Sequence, residues 1–306
     1  MKILMVGAGA VGGYFGGRLL ENGADVTFLV REKRRGQLEQ TGLNIDSVHG
    51  NISLTPRLLT AGESNEPFDL VIISVKAYHL SGVIEDIRPH VAKGTTVLPL
   101  LNGTAHVRQL IEAFGEAAVI GGLCFIETTL DEEGTIIQKS PVHRLTYGER
   151  TRELTPRIKK LQALFDGAKA SFVLSDHINR DMWHKYLFIT AMSGLTSLMA
   201  APIGPIRGME AGQRTIEAFL QELASIMRKA GAPIEEDIIE RHLRTMNEMD
   251  EEMKSSMQRD MEKLLPIEAD HLQGYLLGKA RKMDLSAPIL ETVYTKLALY
   301  ERERRD

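Results

Sequence analysis

A single cysteine, Cys124, among 306 residues excludes an internal disulfide framework. Flanked by Gly122-Leu123 and Phe125-Ile126, it reads as an inert buried strand residue, with no base nearby in sequence to make it a nucleophile. The nine histidines include no His-Glu-x-x-His or paired-ligand spacing, so no metal site is expected. No apolar run is long enough to span a bilayer. A net charge of -4 gives no pull toward nucleic acid or an anionic membrane. There is no internal repeat and no low-complexity tract. A chain of this length buries ample core, most simply as two domains of a cytoplasmic protein.

The strongest positive signal is at the start. Met1-Lys2-Ile3-Leu4-Met5-Val6 has the pattern of a buried strand and runs into Gly7-Ala8-Gly9-Ala10-Val11-Gly12. Tyr14-Phe15-Gly16-Gly17-Arg18-Leu19-Leu20 then follows with helical spacing. In this context Gly7 permits a tight turn, Gly9 lets backbone approach a pyrophosphate, and Gly12 lets helix pack on strand, so Gly7, Ala8, Gly9, Ala10, Val11 and Gly12 form a candidate dinucleotide cradle. One basic residue, glycines through the apolar part and a second strand soon after make this mature structure rather than a signal peptide. The bland alternative is a glycine-rich strand-to-helix turn in another α/β protein.

The second strand, Ala24 to Val30, ends in Arg31, where an NAD-preferring site usually places an acidic residue. Arginine suits a 2′-phosphate, and Lys33, Arg34 and Arg35 make the corner more basic, so NADP(H) is the expected cofactor. Glu32 is the competing feature, since turned inward it would restore an NAD preference. Arg34 and Arg35 could equally solvate a helix start.

Up to residue 176, apolar strands (69–75, 95–101, 117–121, 170–174) alternate with shorter helical patterns, which predicts a doubly wound Rossmann-type α/β domain over 1–176. Segments 122–126, 135–138 and 143–148 read as further strands around the turn Asp131-Glu132-Glu133-Gly134, an antiparallel edge on that sheet. A helix is predicted near 154–165. From 177 to 306 strand signals stop, and helices are predicted near 178–200, 208–231, 234–248, 267–283 and 287–303, broken by prolines. This all-helical domain is expected to carry substrate binding and to permit a homodimer.

Ligands of open α/β sheets sit beyond the carboxyl ends of the strands, which singles out Lys76 after Ser74-Val75 and Asn102 before Gly103. The lysine could meet a phosphate or carboxylate, the asparagine a ribose, nicotinamide or carbonyl. Each residue type alone is more often a solvated end or a turn. The helical half adds Trp183-His184-Lys185, Leu195-Thr196, Ser255-Ser256-Met257, and Glu268 just after Pro266.

With the glycine fingerprint, these motifs resemble the ketopantoate reductase family, the 2-dehydropantoate 2-reductases and their 2-oxo acid reductase relatives, over nearly the whole chain. The resemblance implies an NADPH-dependent oxidoreductase of pantothenate biosynthesis. It makes Lys185 the proton donor, puts Glu268 beside the substrate carbonyl or hydroxyl and Ser256 on the carboxylate, and has Asn102 and Lys76 line the cofactor and substrate cleft. The chemistry agrees: hydride arriving at C2 of a 2-oxo acid leaves negative charge on oxygen, which a nearby ammonium stabilises and protonates. Glu268, in the first turn of a helix begun by Pro266, could orient that ammonium. Apart from the family pattern, both would read as surface groups on helices.

One departure bears on the substrate. The ketopantoate enzymes usually carry asparagines one and two turns after the lysine, where this chain has Ile189 and Ser193. Those positions share a helix face with Lys185, so the substrate wall is partly apolar. The expected reaction is 2-oxo acid to 2-hydroxy acid, ketopantoate to pantoate first, with another branched or aromatic 2-oxo acid as the alternative. A non-catalytic NADP(H)-binding redox sensor would keep Gly7 to Gly12 and Arg31 and need neither Lys185 nor Glu268. Met246, Met249, Met253, Met257 and Met261 fall at helical spacing and read as core or a subunit seam before an adaptable substrate lid.

Overall fold

Strand β1 (Lys2–Val6) is buried from Ile3 onward, as a central parallel strand covered on both faces must be. A computed structural model describes residues 1–305 and divides them into two compact units, 1–101 with 106–178 and 102–105 with the residues from 179 onward.

In the first unit, α1 (Ala10–Glu21), β2 (Asp25–Leu29) and α2 (Glu32–Thr41) follow β1 in order. Next come β3 (Leu43–Ser47), β4 (Ile52–Leu54), β5 (Arg57–Leu59), β6 (Leu70–Ile73), α3 (Leu80–Ile87), β7 (Thr96–Pro99) and α4 (Ala105–Phe114). The unit closes with β8 (Gly121–Leu130), β9 (Ile136–Gly148), α5 (Pro156–Phe165) and β10 (Ser171–Leu174). The main sheet is wholly parallel in the order β5-β2-β1-β6-β7. Strand alternation sends Ile3 and Met5 to one face, into a core with Tyr14, Phe15 and Leu19 of α1, and Leu4 and Val6 to the other, against Leu80, Val83 and Ile84 of α3. Because chain order reverses about β1 and β6, their carboxyl ends form the switch point where such sheets take ligands.

Two strand expectations are corrected. The 122–148 hairpin is not an edge on the main sheet: β8 and β9 pair antiparallel around the 131–135 turn and build a second sheet, in which β9 also pairs with β3 and β10 and β3 pairs with the unforeseen β4. Segment 117–121 makes only one bridge, Val97 to Val119, because Gly115 (φ +85°) ends α4 late and the chain leaves at Gly121 for the second sheet. The short strand β5 was also unforeseen, too brief at three residues to show a period.

The second unit is helical: α6 (Ile178–Met199), α7 (Ile203–Arg207), α8 (Glu210–Lys229), α9 (Ile238–Glu248), α10 (Ser256–Glu262), α11 (Tyr275–Lys282) and α12 (Pro288–Arg305). Its core joins Tyr186, Leu187 and Leu195 of α6 to Phe219 and Leu223 of α8 and Val293 of α12. Helix α9 starts later than Pro233 suggested, because Glu235 is held outside it: its N–H donates to His184 Nε2 at 3.1 Å and its carboxylate pairs with Arg180 at 2.9 Å. The methionine stripe is not one helix. Helix α9 stops at Glu248, and α10 begins after Ser255, whose Oγ caps it by accepting from the Gln258 N–H at 3.1 Å. Met246 and Met257 are buried in the helical core and Met249, Met253 and Met261 pack against it. The expected 267–283 helix opens instead with a π turn, Asp270–Gly274, which leaves Glu268 ahead of it rather than in a first helical turn.

Candidate active site

The glycine turn has the three properties a pyrophosphate cradle needs. Gly7 adopts φ +94°, and a β-carbon there would stand 2.6 Å from the Ser74 carbonyl oxygen at the end of β6. A β-carbon on Gly12 would overlap the Gly7 carbonyl, so α1 can leave β1 this closely only without a side chain. At Gly9, by contrast, nothing lies within 4 Å, so the backbone there is open. Gly9 is also the N-cap of α1, no side chain caps the helix, and its first turn holds no acidic residue. Its amide donors and positive dipole end are therefore not neutralised from within, which fits an anionic group over the turn.

The basic corner sorts itself by partner. Arg34 is structural: Nε donates to the Ala8 carbonyl and Nη2 to that of Gly134, both at 3.0 Å, bracing the glycine turn against the β8–β9 hairpin. Arg35 pairs with Glu39 at 2.8 Å and with Glu63. Glu32 and Lys33 are exposed at the start of α2. Arg31, the N-cap residue, instead extends to His79, its Nη1 3.4 Å from His79 Nε2. His79 ends the 3-10 turn 77–79 whose N-cap is Lys76. Since β2 and β6 flank β1, Arg31 and the 77–79 turn follow the strands on either side of the one that leads into the glycine turn. Burial holds the His79 pKa below its usual value, and Arg31 adds to that. Lysine three residues before a histidine is the signal that could have revealed His79.

In the helical unit, Lys185 of α6 is only 8% exposed. Its Nζ donates to Asn102 Oδ1 at 2.9 Å. An ammonium can only donate, so the carboxamide must turn its oxygen to the lysine and keep its donor face for another partner. Segment 102–105 belongs to this unit although it directly follows β7 and Leu100-Leu101. Asn102 is held a second time, His271 Nε2 donating to its backbone carbonyl at 2.8 Å.

His271 lies in the π turn, three residues after the half-buried Glu268, whose carbonyl accepts from the Leu272 N–H at 3.0 Å. Burial pushes the His271 pKa down, while Glu268 and the Asn102 carbonyl pull it up. Lys185, Asn102 and the π turn that follows Glu268 are thus brought into one bonded group. Sequence reasoning missed His271, though Glu268-x-x-His271 was there to be seen.

The remaining candidates are placed as follows. Ser193 is buried, and its Oγ accepts from Gln273 Nε2 at 2.9 Å, so an amide from the π turn occupies this stretch of α6. Ile189 packs, partly buried, against the helical core. Ser256 is exposed at the start of α10, whereas its neighbour Ser255 accepts from Thr196 Oγ1 at 2.9 Å. Cys124 is buried in β8. Among the described residues no cluster of three or more His, Cys, Asp or Glu side chains is disposed to hold a metal, and no helix is long and apolar enough to cross a membrane.

Known proteins resemble this chain in both of its parts. Residues 3–152 match the family described as ketopantoate reductase PanE/ApbA, and residues 177–301 match its C-terminal domain. The chain is 50% identical over 304 residues to the uncharacterized oxidoreductase YkpB of Bacillus subtilis, covering 99% of this chain and all of that protein. It is 24% identical to a 2-dehydropantoate 2-reductase of Nostoc, covering 99% and 96%. Among solved structures, the 2-dehydropantoate 2-reductase of Geobacter metallireducens superposes with a TM-score of 0.88 at 28% identity, covering 98% and 99% of the two chains. A D-mandelate dehydrogenase solved with NADH and anilino(oxo)acetate shares the fold, with a TM-score of 0.88 at 20% identity and coverage of 100% of both chains.

Proposed function

This chain belongs to the ketopantoate reductase family, and from that premise we propose that it reduces a 2-oxo acid to a 2-hydroxy acid with NADPH, Lys185 supplying the proton. Membership makes it an oxidoreductase acting on a CH–OH group and a binder of a nicotinamide cofactor. The choice of NADPH, the substrate and the residue roles are our reading.

The observation that carries the reading is the buried Lys185 ammonium resting on Asn102 at 2.9 Å. Lysines are rarely buried this deeply without a role for the charge. The bound nicotinamide would supply hydride. Gly7 to Gly12 would hold its pyrophosphate on the amino end of α1, and Arg31 and His79, with Lys76, would take the 2′-phosphate and neighbouring groups. As C2 of the 2-oxo acid is reduced, the Lys185 ammonium stabilises the growing charge on oxygen and then gives up a proton to it. Glu268 keeps that ammonium and the substrate hydroxyl in register. Ser256 is assigned to the substrate carboxylate, which its exposed place at the head of α10 leaves reachable.

Ketopantoate is the first candidate substrate, in pantothenate biosynthesis in the cytoplasm. Ile189 and the engaged hydroxyl of Ser193 favour a second candidate, a branched or aromatic 2-oxo acid without ketopantoate's hydroxyl. A panel comparing kcat/KM for ketopantoate, 2-oxoisovalerate and phenylpyruvate with NADPH tests the proposal. Preference for ketopantoate supports the vitamin pathway, equal or better use of the others removes it, and no turnover of any overturns the reductase reading. We also propose a homodimer, to be checked by light scattering; a solved ketopantoate reductase of Staphylococcus aureus, 18% identical, is described as dimeric.

A further inference from the structure

We infer that His271 is a positioning residue, which clamps the Asn102 peptide so that the Asn102 carboxamide presents a fixed oxygen to Lys185. The inference rests on the reading of Lys185 as proton donor.

Asn102 lies on a link between strand and helix that would ordinarily be mobile. Here it is bonded at both ends from far along the chain, its side chain by Lys185, 83 positions away, and its backbone carbonyl by His271, 169 positions away. The loop rests directly on the π turn. Gly103 has φ +79°, and a β-carbon there would stand 3.1 Å from Leu272 and 3.5 Å from the His271 ring.

The turn in turn is pinned to the helix that carries Lys185. Tyr186 Oη donates to the Leu272 carbonyl at 2.6 Å, and Gln273 Nε2 donates to the Thr190 carbonyl at 3.2 Å and to Ser193 Oγ at 2.9 Å. Residues 271, 272 and 273 thus each make a separate tie, two to α6 and one to Asn102. The π geometry makes this possible: Gly274 N–H reaches back five residues to Ala269, and the widened turn opens its side chains to partners on different sides.

The bond to a carbonyl requires the proton on Nε2. Burial favours the neutral ring, with Glu268 before the turn as the opposing charge. A neutral donor holds the Asn102 carbonyl without placing a second cation beside Lys185. His271 touches neither substrate nor cofactor in this scheme; it acts through Asn102.

The test pairs His271→Phe, which keeps a ring and loses the donor, with His271→Gln, which keeps a donor. With the 2-oxo acid of highest kcat/KM, His271→Phe is expected to lower kcat about ten- to a hundred-fold, the scale of an ångström of misplacement. Its Kd for NADPH, read by fluorescence titration, should stay within about two-fold of the parent, and His271→Gln should recover most of the lost kcat. In a double-mutant cycle, Asn102→Ala with His271→Phe should lose no more than Asn102→Ala alone, because both act through one contact. Parental kcat in His271→Phe, additive losses in the cycle, or equal losses in both substitutions together with lowered melting temperature would each overturn the assignment. Lys185→Ala is the control. Loss of turnover there with none in His271→Phe removes His271 alone, whereas full turnover in Lys185→Ala removes the proton-donor reading and this inference with it.

Discussion

The ammonium of Lys185 donates to the carboxamide oxygen of Asn102 at 2.9 Å, joining the second turn of α6 to the loop that follows β7. The bond keeps a nearly buried charge hydrogen-bonded. A lysine serving only to solvate an amphipathic helix would have its head in water.

Replacing Lys185 with Ala is expected to lower kcat by about a hundred- to ten-thousand-fold, the span attributed to a positioned general acid. NADPH binding should change by less than about two-fold. Steady-state kinetics with a parallel fluorescence titration measures both, and equal weakening of binding and turnover would remove the catalytic role.

The glycines separate folding from binding. Gly12→Ala drives a β-carbon into the Gly7 carbonyl and should cost at least about 3 kcal/mol or prevent folding. Gly9→Ala meets nothing within 4 Å, so its melting temperature should stay close to the parent's while NADPH affinity falls about ten-fold or more. Thermal denaturation and NADPH titration of the two variants give the comparison, and unchanged affinity in Gly9→Ala would argue against a pyrophosphate over this turn.

Arg31→Ala should weaken NADPH about ten- to a hundred-fold, the value of a charge-assisted pair, and leave NADH nearly unchanged. Burial and then Arg31 keep His79 neutral near pH 7, and a bound 2′-phosphate would pull its pKa up. Binding then takes up a proton, so NADPH should tighten relative to NADH as pH falls from 8 to 6. His79→Gln should flatten that trend, and equal pH slopes for the two cofactors in the parent would contradict it.

Stability should fall in mild acid. Burial pushes the His242 pKa down to about 4, its bond to the His184 carbonyl opposing and the His184 and Arg241 charges reinforcing. An unfolded histidine titrates near 6.5, so below that pH the unfolded chain takes a proton that the folded one refuses. The stabilisation is complete above about pH 6.5 and is lost as pH drops toward 4, by about 2 kcal/mol at pH 5. Urea unfolding at pH 7.5 and 5.0 should show this, with a smaller difference in His242→Gln; identical differences would exclude His242 as a source.

What could be read in advance followed from neighbours in sequence. An unbroken apolar run into Gly7, Gly9 and Gly12 can hardly be anything but a central strand feeding a helix, and the loss of strand patterning near 177 matches the start of α6 at Ile178. Strands β3 and β4 escaped notice because they are short and mixed, and join a sheet completed by β9, about ninety residues later. Likewise Ser193 looked available to substrate, since nothing nearby in sequence announces that Gln273 takes its hydroxyl from eighty positions away.

The amino-acid order alone therefore determined the glycine turn, the succession of an α/β half and a helical half, and the choice of Arg31 as a charged candidate, because turn geometry and side-chain periodicity are settled within a few residues, whereas Lys185 stood out only through the family resemblance. Tertiary structure decided which charges are structural, as with Arg34 and Arg35, and which groups meet. Lys185, Asn102 and His271 become one bonded set only when segments up to 169 residues apart are packed together, and no local pattern encodes that pairing.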